Sequence, residues 1–431
     1  MTSNTIGILI LLGSFLALML MKLPIAFALG VASLLTAWHL GLPSLMIFQR
    51  MVNGLNSFTF LAVPFFVVAG QIMTEGGISD RLVRFSNVIV GKVRGGLAMV
   101  NVLASMFFGG ISGSSVADVS SIGAFLIPMM EKKGYDKDFS VAVTITSSVQ
   151  GVIIPPSQNV IYYSLAAGGI SIGRLFLGGY IPGIILGFAL MALSYVISVV
   201  RGYPKEESFT LKQAVNIIFD SLIGLFTIVI IMGGIIFGLF TATESAAIAI
   251  VYAAFVTIFV YRSIGVRGIY RVLKGSIRTL SVIVTIIGTS SAFAFLLAYL
   301  RVPRMVTEFL LGFSSNTIVV LILINLIMLF LGMMMDMGIL ILLLTPILLP
   351  VATEIGLDPL QFGIIMMLNL GIGLCTPPVG TSLFVGCAIA DLKVEHSIKM
   401  LIPFYLVMVL VLILVIAFPQ LVLFLPNLVY S

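Results

Sequence analysis

The sequence predicts an all-α integral membrane protein made of two similar halves, each with a re-entrant helical hairpin and a broken helix. The composition is the first indication, with 60% hydrophobic residues, 9% charged residues and a mean hydropathy of +1.24. Continuous apolar runs of about 20 residues, the length of a membrane-crossing helix, recur along the chain. The third indication is an internal repeat, because GVIIPP at 151–156 returns as GLCTPP at 373–378 after 222 residues. Such proline pairs break helices inside apolar sequence.

Ten apolar stretches are predicted to cross the membrane. In chain order they cover 5–21, 24–40, 58–74, 139–165, 173–199, 220–239, 244–262, 279–299, 360–388 and 397–425. Two more stretches, 97–131 and 316–351, are too long for one crossing, and each has a glycine-containing interruption near its middle. Each half is about 14 residues, too short to cross. Both stretches therefore predict hairpins that enter and leave the membrane on one side.

The basic residues indicate the orientation of the chain. With both termini outside, Arg50, Arg174, Arg301 and Arg304 remain outside, which leaves 18 of the 22 lysines and arginines on the cytoplasmic side. Such an excess is typical of cytoplasmic loops. It places the ends of the first hairpin inside and those of the second outside. The two halves are thus predicted to be inverted, as in many secondary transporters.

These features divide the chain into predicted units. They are scaffold helices and a first arm at 1–96, the first hairpin and broken helix at 97–166, scaffold helices and a second arm at 167–315, the second hairpin and broken helix at 316–390, and a C-terminal scaffold helix at 391–431. The polar stretch 201–212 is the predicted boundary between halves. The arms, 81–94 and 267–278, are basic and amphipathic, which is typical of helices on the inner membrane surface. Alternatively, they brace a moving domain.

The segment FFGGISGSSVAD at 107–118 is the first candidate binding region. Its glycines and serines favour an unwound segment, whose backbone groups need partners where water is absent. Unwound carbonyls and hydroxyls are the oxygen ligands that sodium prefers, and this indicates a cation site. The candidate residues are Ser112, Gly113, Ser114 and Ser115. The alternative is a tight helix–helix crossing through small residues.

The two proline segments are the second candidate binding region. Each proline removes a backbone donor, so carbonyls one turn earlier lose their partners. The candidates in the first half are Gly151, Ile154, Pro155, Ser157 and Asn159. Those in the second half are Gly373, Thr376, Pro377, Gly380 and Thr381. The alternative is a proline kink whose backbone groups are satisfied by neighbouring helices.

Asp118 and Asp336 are acids within apolar sequence, paired by the repeat at a shift of 218 residues. An uncompensated carboxylate at membrane depth costs at least ~2.5 kcal/mol, so both should face the protein interior. They are predicted either to hydrogen-bond hairpin amides or to add negative charge near a cation. Gly332 and Met335, beside the second acid, complete the candidate residues.

Several classes of function are disfavoured. Cys375, Cys387, His39 and His396 form no metal motif and no nucleophile–base pair, so no catalytic residue is predicted. The net charge of +6 follows membrane topology and does not indicate nucleic acid. Two alternatives to a transporter stay open. One is an intramembrane aspartyl protease, although neither acid lies in a GxGD motif, and the other is an ion channel.

The segments ISGSSVAD and LGMMMDMGILILLLTPILLP, together with the proline pairs, resemble the large membrane subunit of TRAP (tripartite ATP-independent periplasmic) transporters. The resemblance covers nearly the whole chain. It implies an elevator-type transporter of the ion-transporter superfamily in the bacterial inner membrane, with both termini periplasmic. It also implies two protein partners, a small four-helix membrane subunit carried on a separate chain and a periplasmic substrate-binding protein, in contact with membrane lipid.

The resemblance further implies that a sodium gradient drives uptake of a carboxylate, with no other cofactor. A sialic acid such as N-acetylneuraminate is the first expectation and a C4-dicarboxylate the second. The sodium sites would lie at the hairpin tips, where 112–115 meets 151–155 and 332–336 meets 373–381.

Overall fold

The computed structural model describes residues 3–205, 209–314 and 316–430, and these residues form helices joined by short turns. The helices of the first half are α1 (Ser3–Leu20), α2 (Ile25–His39), α3 (Ser44–Leu55), α4 (Phe58–Glu75), α5 (Ile78–Val90), α6 (Gly96–Ser112), α7 (Ser115–Asp118), α8 (Ala124–Lys132), α9 (Lys137–Ser147), α10 (Gln150–Ile153), α11 (Gln158–Ala166) and α12 (Ile172–Val200). The predicted all-helical class is confirmed.

The helices of the second half are α13 (Leu211–Ile236), α14 (Ala242–Phe255), α15 (Val266–Tyr299), α16 (Val302–Phe313), α17 (Thr317–Gly332), α18 (Met337–Glu354), α19 (Pro359–Leu374), α20 (Thr381–Ile389), α21 (Val394–Ala417) and α22 (Gln420–Val429). Turns of π-helix at Val119–Gly123 and Val256–Val260 continue α7 and α14. Parts of three sequence predictions lie outside the described residues, namely 206–208 of the boundary stretch, the domain border at 315, and the terminal residues 1, 2 and 431.

Six helices of the described chain are long and apolar enough to cross a membrane, or up to eight if each bent pair forms one span. Shorter apolar helices, including α1, α2, α17 and α19, complete the set. One of the six is α18, the second part of the second predicted hairpin. The hairpin segments α6, α17 and α18 have 17, 16 and 18 residues. They are longer than the 14 residues expected from sequence, because each helix continues up to its break.

The breaks themselves fall where the sequence predicts them. The first interruption separates α6 from α7 at Gly113 and Ser114, and the second separates α17 from α18 at residues 333–336. The first proline segment bends the 137–166 span by 49° between α10 and α11. The second separates α19 from α20. In both segments the bond between the two prolines is cis.

Glycine pairs at equivalent positions of the two halves join each hairpin to its broken helix. A Cβ atom built on Gly109 of α6 would lie 2.0 Å from the Cα of Gly151, and one built on Gly373 would lie 2.7 Å from the Cα of Gly332 in α17. Only glycine permits such close approach. The alternative interpretation, a tight crossing through small residues, is therefore confirmed for the glycines of the first hairpin.

A polar pair next to each glycine crossing repeats as well. Ser147 donates to the side-chain oxygen of Asn101 at 3.4 Å, and Asn369 donates to that of Asn325 at 2.9 Å. Both pairs lie between the first hairpin helix and the broken helix of the same half. Buried polar groups need such partners, so the two halves meet this requirement in similar ways.

Two predictions about element boundaries are wrong, and two helices are missing from the prediction. The second arm and the following span form one continuous 34-residue helix, α15, because no proline or glycine turn separates 278 from 279. Two amphipathic helices, α3 and α16, were not predicted. The C-terminal span ends at α21, and a turn at Phe418 and Pro419 begins a separate helix, α22. The first arm matches the amphipathic helix α5.

Two sets of helices pack closely, and they also contact each other, since α4 packs against α6 and α11 and α15 packs against α18. In one, α15 packs against α2, α3 and α4, and α4 packs against α14. In the other, α12 and α21 pack against each other and against α9 and α19, while α12 also contacts α6. The broken helices thus pack against both α12 and α21, and the first hairpin packs against α12 through α6.

An aromatic and charged cluster joins the start of α9 to the turn after α12. Tyr203 donates to Asp136 at 2.6 Å, and Arg201 forms an ion pair with the same carboxylate at 2.7 Å. The ring of Tyr203 lies 4.5 Å from that of Tyr135 and 5.1 Å from that of Phe139. Burial and the hydrogen bond to Asp136 raise the pKa of Tyr203 to about 12.

Candidate functional site

The first hairpin tip is held by the residues that follow the first proline pair. The helix α6 ends at Ser112, the next residue, Gly113, has a φ of 60°, and Ser114 then caps α7. The side-chain amide of Gln158 donates to the carbonyl of Ser112 at 3.3 Å. The side-chain amide of Asn159 donates to the carbonyl of Gly113 at 3.0 Å. The two predicted regions of the first half are therefore in direct contact.

Groups within the first broken helix satisfy part of its own backbone. The hydroxyl of Ser157 donates to the carbonyl of Val152 at 2.8 Å and replaces a donor that the prolines lack. The carbonyl of Pro155 lies against Gly110 of the hairpin. Ile154 is buried at the bend. The candidates 151–157 therefore combine structural contacts with proximity to the hairpin tip.

Three buried hydroxyls meet behind the first tip. Ser115 lies 2.5 Å from Ser148 of the first broken helix and 2.7 Å from Ser382 of α20. Because Ser148 donates its proton to the carbonyl of Ile145, Ser115 must donate to Ser148, and Ser382 must donate to Ser115. Each hydroxyl oxygen keeps at least one lone pair. The cluster joins both halves, a connection that the repeat alone did not predict.

The second hairpin tip meets the second broken helix in an equivalent way. The carbonyl of Met333 accepts the backbone N–H groups of Val379 at 3.2 Å and Gly380 at 3.0 Å. Gly380 has a φ of 38°, a conformation that favours glycine. Thr376 donates to the carbonyl of Ile372 at 2.7 Å, which satisfies the end of α19. Residues Met335 and Pro377 lie within the same two loops.

Thr381, at the start of α20, differs from its neighbours. Its hydroxyl oxygen is enclosed and has no hydrogen-bond partner among the described residues. Other buried hydroxyls of the described chain, such as those of Ser79 and Thr227, also have no partner, but Thr381 directly follows the second helix break. Such an atom is suited to accept an additional ligand.

The two acids do not occupy equivalent positions, so that prediction is wrong. Asp336 caps α18 by accepting the N–H of Gly338 at 2.9 Å. The residue 222 positions earlier is Ser114, which caps α7. Asp118 lies one turn further on and is 1% exposed. Neither of its oxygens accepts a hydrogen bond within the described chain, although Ser105 is nearby.

Both tips line one cavity of about 540 Å³. One wall, the polar wall, comes from the tips and the broken helices. It carries Gly113, Ser114, Ser115, Gln158, Asn159, Tyr162, Asp336 and Gly338, together with the apolar residues Val116, Val152, Met337, Ile339, Leu342 and Leu374. The opposite wall is a face of α15 formed by Val282, Ile283, Ile286 and Ile287, with Arg278 and Thr279 one turn earlier. The structure therefore brings five of the predicted residues to one surface. The others, including Ser112, Gly151, Gly332 and Gly373, support it from behind.

Sequence reasoning missed two contributors to this cavity. Arg278 was assigned to the cytoplasmic arm, although its spacing of four residues from Val282 and eight from Ile286 places all three on one helix face. Tyr162 was read as part of a span. Its ring packs against Gly338, and its position on α11, four residues after Gln158, was the available signal.

The site is rich in oxygen atoms and poor in classical metal ligands. Among the residues that the structure describes, no group of three or more His, Cys, Asp or Glu side chains is placed to hold a metal ion. Carbonyls, hydroxyls and one carboxylate surround the tips. Such sets suit a hard, weakly held cation and a polar solute.

Inverted hairpins and broken helices around one cavity are typical of a secondary membrane transporter. The sequence matches the family described as "Tripartite ATP-independent periplasmic transporter, DctM component" over residues 12–421. The chain therefore belongs to this family as a large membrane subunit, a multi-pass membrane protein that transports solutes and is not an enzyme. The resemblance inferred from sequence is confirmed, and the protease alternative is excluded.

Curated relatives are similar over most of this chain. YgiK of Salmonella typhimurium is 44% identical over 98% of this chain and 97% of its own. The sialic acid TRAP transporter large permease protein SiaM of Vibrio cholerae is 38% identical over 88% of this chain and 89% of its own. The isethionate TRAP transporter permease protein DctMQ of Oleidesulfovibrio alaskensis is 36% identical over 96% of this chain and 66% of its own.

Solved structures share the fold. The YdaH transporter of Alcanivorax borkumensis superimposes with a TM-score of 0.64, covering 96% of this chain and 97% of its own, at 12% sequence identity. At that identity the similarity concerns the fold alone.

Proposed function

We propose that the protein is the permease subunit of a sodium-coupled uptake system for an organic anion, with the substrate bound in the cavity between the hairpin tips. The observation that carries this proposal is the convergence of both tips, one from each inverted half, on one cavity beside two helix breaks. Discontinuous helices at a repeat interface bind substrates and coupling ions in secondary transporters.

Sodium is proposed to bind at the tips. At the first tip the candidates are the hydroxyl of Ser115 with its partners Ser148 and, from the second half, Ser382. In the second half they are the unpartnered hydroxyl of Thr381 and the loop around Met333 and Gly380. Both regions offer oxygen atoms only. One candidate set at each tip supports the proposal of two coupled ions per substrate.

An elevator movement is the proposed mechanism. The hairpins, the broken helices, α12 and α21 would move as one body against a scaffold that includes α2, α3, α4, α14 and α15. The packing of α12 and α21 against α9 and α19 supports placing them in the moving body, which changes the domain division expected from sequence. The apolar wall of α15 supports sliding, because it holds few groups that would bind one position tightly.

N-acetylneuraminate is the first substrate to test and a C4-dicarboxylate the second. SiaM, 38% identical, is named for sialic acid, and DctM of Rhodobacter capsulatus, 34% identical, is named for C4-dicarboxylates. The 2,3-diketo-L-gulonate permease protein YiaN of Escherichia coli, 35% identical, widens the set to sugar acids. All of these substrates are organic anions.

The proposed partners are a small four-helix membrane subunit and a periplasmic binding protein, with the complex in the bacterial inner membrane and both termini periplasmic. The family description contains the words tripartite and periplasmic, which supports a three-component system.

Reconstituted uptake tests the proposal. The permease and small subunit are placed in liposomes, and labelled N-acetylneuraminate or succinate is added with the proposed periplasmic binding protein. Uptake should require both an inward sodium gradient and the binding protein, and potassium should not replace sodium. Uptake without either component would contradict the proposal. Ion conductance without any substrate would instead support a channel.

A further inference from the structure

The polar wall of the cavity carries a negative charge that would repel an anionic substrate. It carries Asp336 of the second tip, whose carboxylate accepts a hydrogen bond from Gly338. A second negative charge placed nearby is repelled, and more strongly in a site that excludes water. A cation from the opposite wall would compensate for this repulsion.

We propose that Arg278 is the residue that binds the anionic head group of the substrate, an inference that rests on the function proposed above. Among the described residues that line the cavity, Arg278 is the single cationic side chain. It is exposed to the cavity at one end of the apolar face of α15. Eight residues of helix place its Cα about 12 Å from that of Ile286, towards the basic end of α15.

The guanidinium of Arg278 is available for a ligand. No ion pair of Arg278 occurs within the described parts of the chain. The same is true of other arginines such as Arg84, and Arg278 differs from them by lining the cavity. An unpaired arginine that faces a cavity presents its fork of N–H donors to whatever enters.

The chemistry of arginine fits the substrates for which the relatives are named. Sialic acids, C4-dicarboxylates and diketogulonate carry a carboxylate, and isethionate carries a sulfonate. Both groups present at least two coplanar oxygens that accept parallel hydrogen bonds from a guanidinium. Arg278 thus binds the carboxylate or sulfonate that these solutes share. The polar wall contacts the rest of the substrate.

The test compares anions with neutral analogues. The permease with its small subunit is purified in nanodiscs with sodium, and dissociation constants are measured for N-acetylneuraminate and its methyl ester, and for succinate and succinamide. The wild-type protein should prefer one of the acids over its neutral analogue at least tenfold. Arg278→Gln should weaken binding of that acid at least tenfold and change that of the analogue less than threefold.

Two further variants complete the design. Lys274→Gln removes a positive charge one turn earlier on α15, at a residue that does not line the cavity, and should leave both constants unchanged. Arg278→Lys keeps the charge and loses the planar fork, so it should weaken acid binding two- to fivefold. If Arg278→Gln does not fold, acid and analogue binding are compared between Arg278→Lys and the wild-type protein instead.

The inference is overturned if Arg278→Gln keeps the preference for the acid, if it weakens acid and analogue equally, or if neither acid binds the wild-type protein. Uptake is measured on the same preparation. Sodium-dependent uptake with an unchanged preference in Arg278→Gln would refute the role of Arg278 alone. Loss of the preference with sodium-independent uptake would refute the sodium coupling alone.

Discussion

Replacing Ser115 by alanine should raise the sodium concentration needed for half-maximal uptake. The hydroxyl of Ser115 lies within 2.7 Å of two other hydroxyls, and these oxygens are the proposed ligands of one sodium ion. A hydrogen bond to a charged group contributes about 1.5–3 kcal/mol, and a lost ion ligand should cost a similar amount. Because about 1.4 kcal/mol corresponds to a factor of ten, sodium affinity should fall by roughly ten- to hundredfold.

The control is Ser120→Ala in the same hairpin. Ser120 is exposed and donates only to the carbonyl of Val116, within its own helix, so its loss should not affect sodium. Both variants are reconstituted with the small subunit and binding protein, and initial uptake rates are measured as sodium replaces potassium. Melting temperatures of the purified complexes show whether Ser115→Ala still folds. An unchanged half-saturation in a folded Ser115→Ala protein would refute the assignment and leave backbone carbonyls as the ligands.

Other substitutions test the remaining parts of the site. Gly373→Ala should lower thermal stability by about 1–3 kcal/mol, because its Cβ would clash with the backbone of α17, whereas Gly312→Ala has open space and should not; equal melting temperatures would contradict this. Asp336→Asn keeps a good helix cap and removes the charge, so it should fold like the wild-type protein yet require more sodium. Asp336→Ala should also lose about 1 kcal/mol of stability, and matching uptake curves for both variants and the wild-type protein would show that the charge is not used. Tyr203→Phe keeps the ring stack and loses the hydrogen bond to Asp136, so thermal unfolding should show a loss of about 1 kcal/mol. Because the folded pKa is raised from 10 to about 12, this contribution is complete below pH 10 and lost as the pH rises through 12; the loss should therefore be the same at pH 6 and pH 8, and a difference would contradict the assignment.

The sequence predicted the helix breaks well because local chemistry determines them. Glycine and serine runs and paired prolines interrupt helices whatever surrounds them, and the breaks at Gly113 and Pro155 lie where expected. The repeat then predicted which break faces which hairpin.

What the sequence did not predict depends on tertiary contacts. Ser382 meets Ser115 across 267 residues, and no local pattern indicates that contact. Arg278 belongs to a basic stretch and is also aligned with an apolar helix face. Only the folded chain shows that this apolar face, and Arg278 with it, lines the cavity. Asp118 and Asp336 were paired by residue type at a shift that differs from the rest of the repeat, and backbone capping identified Ser114 as the true counterpart.

The two hairpin tips differ in the residue that caps the helix after the break. The repeat gives both hairpin tips the same frame, a glycine crossing, a helix break and a capped return helix, yet the cap is a neutral serine in one half and a carboxylate in the other. The carboxylate of Asp336 would attract the proposed cation by charge at the second tip. The proposed ligands of the first tip are neutral hydroxyls, with the buried carboxylate of Asp118 one turn further on. A buried carboxylate beside an anionic substrate is unfavourable without positive charge nearby. Sodium at the second tip and Arg278 on the facing wall would each relieve that repulsion, and together they make substrate binding depend on the ion.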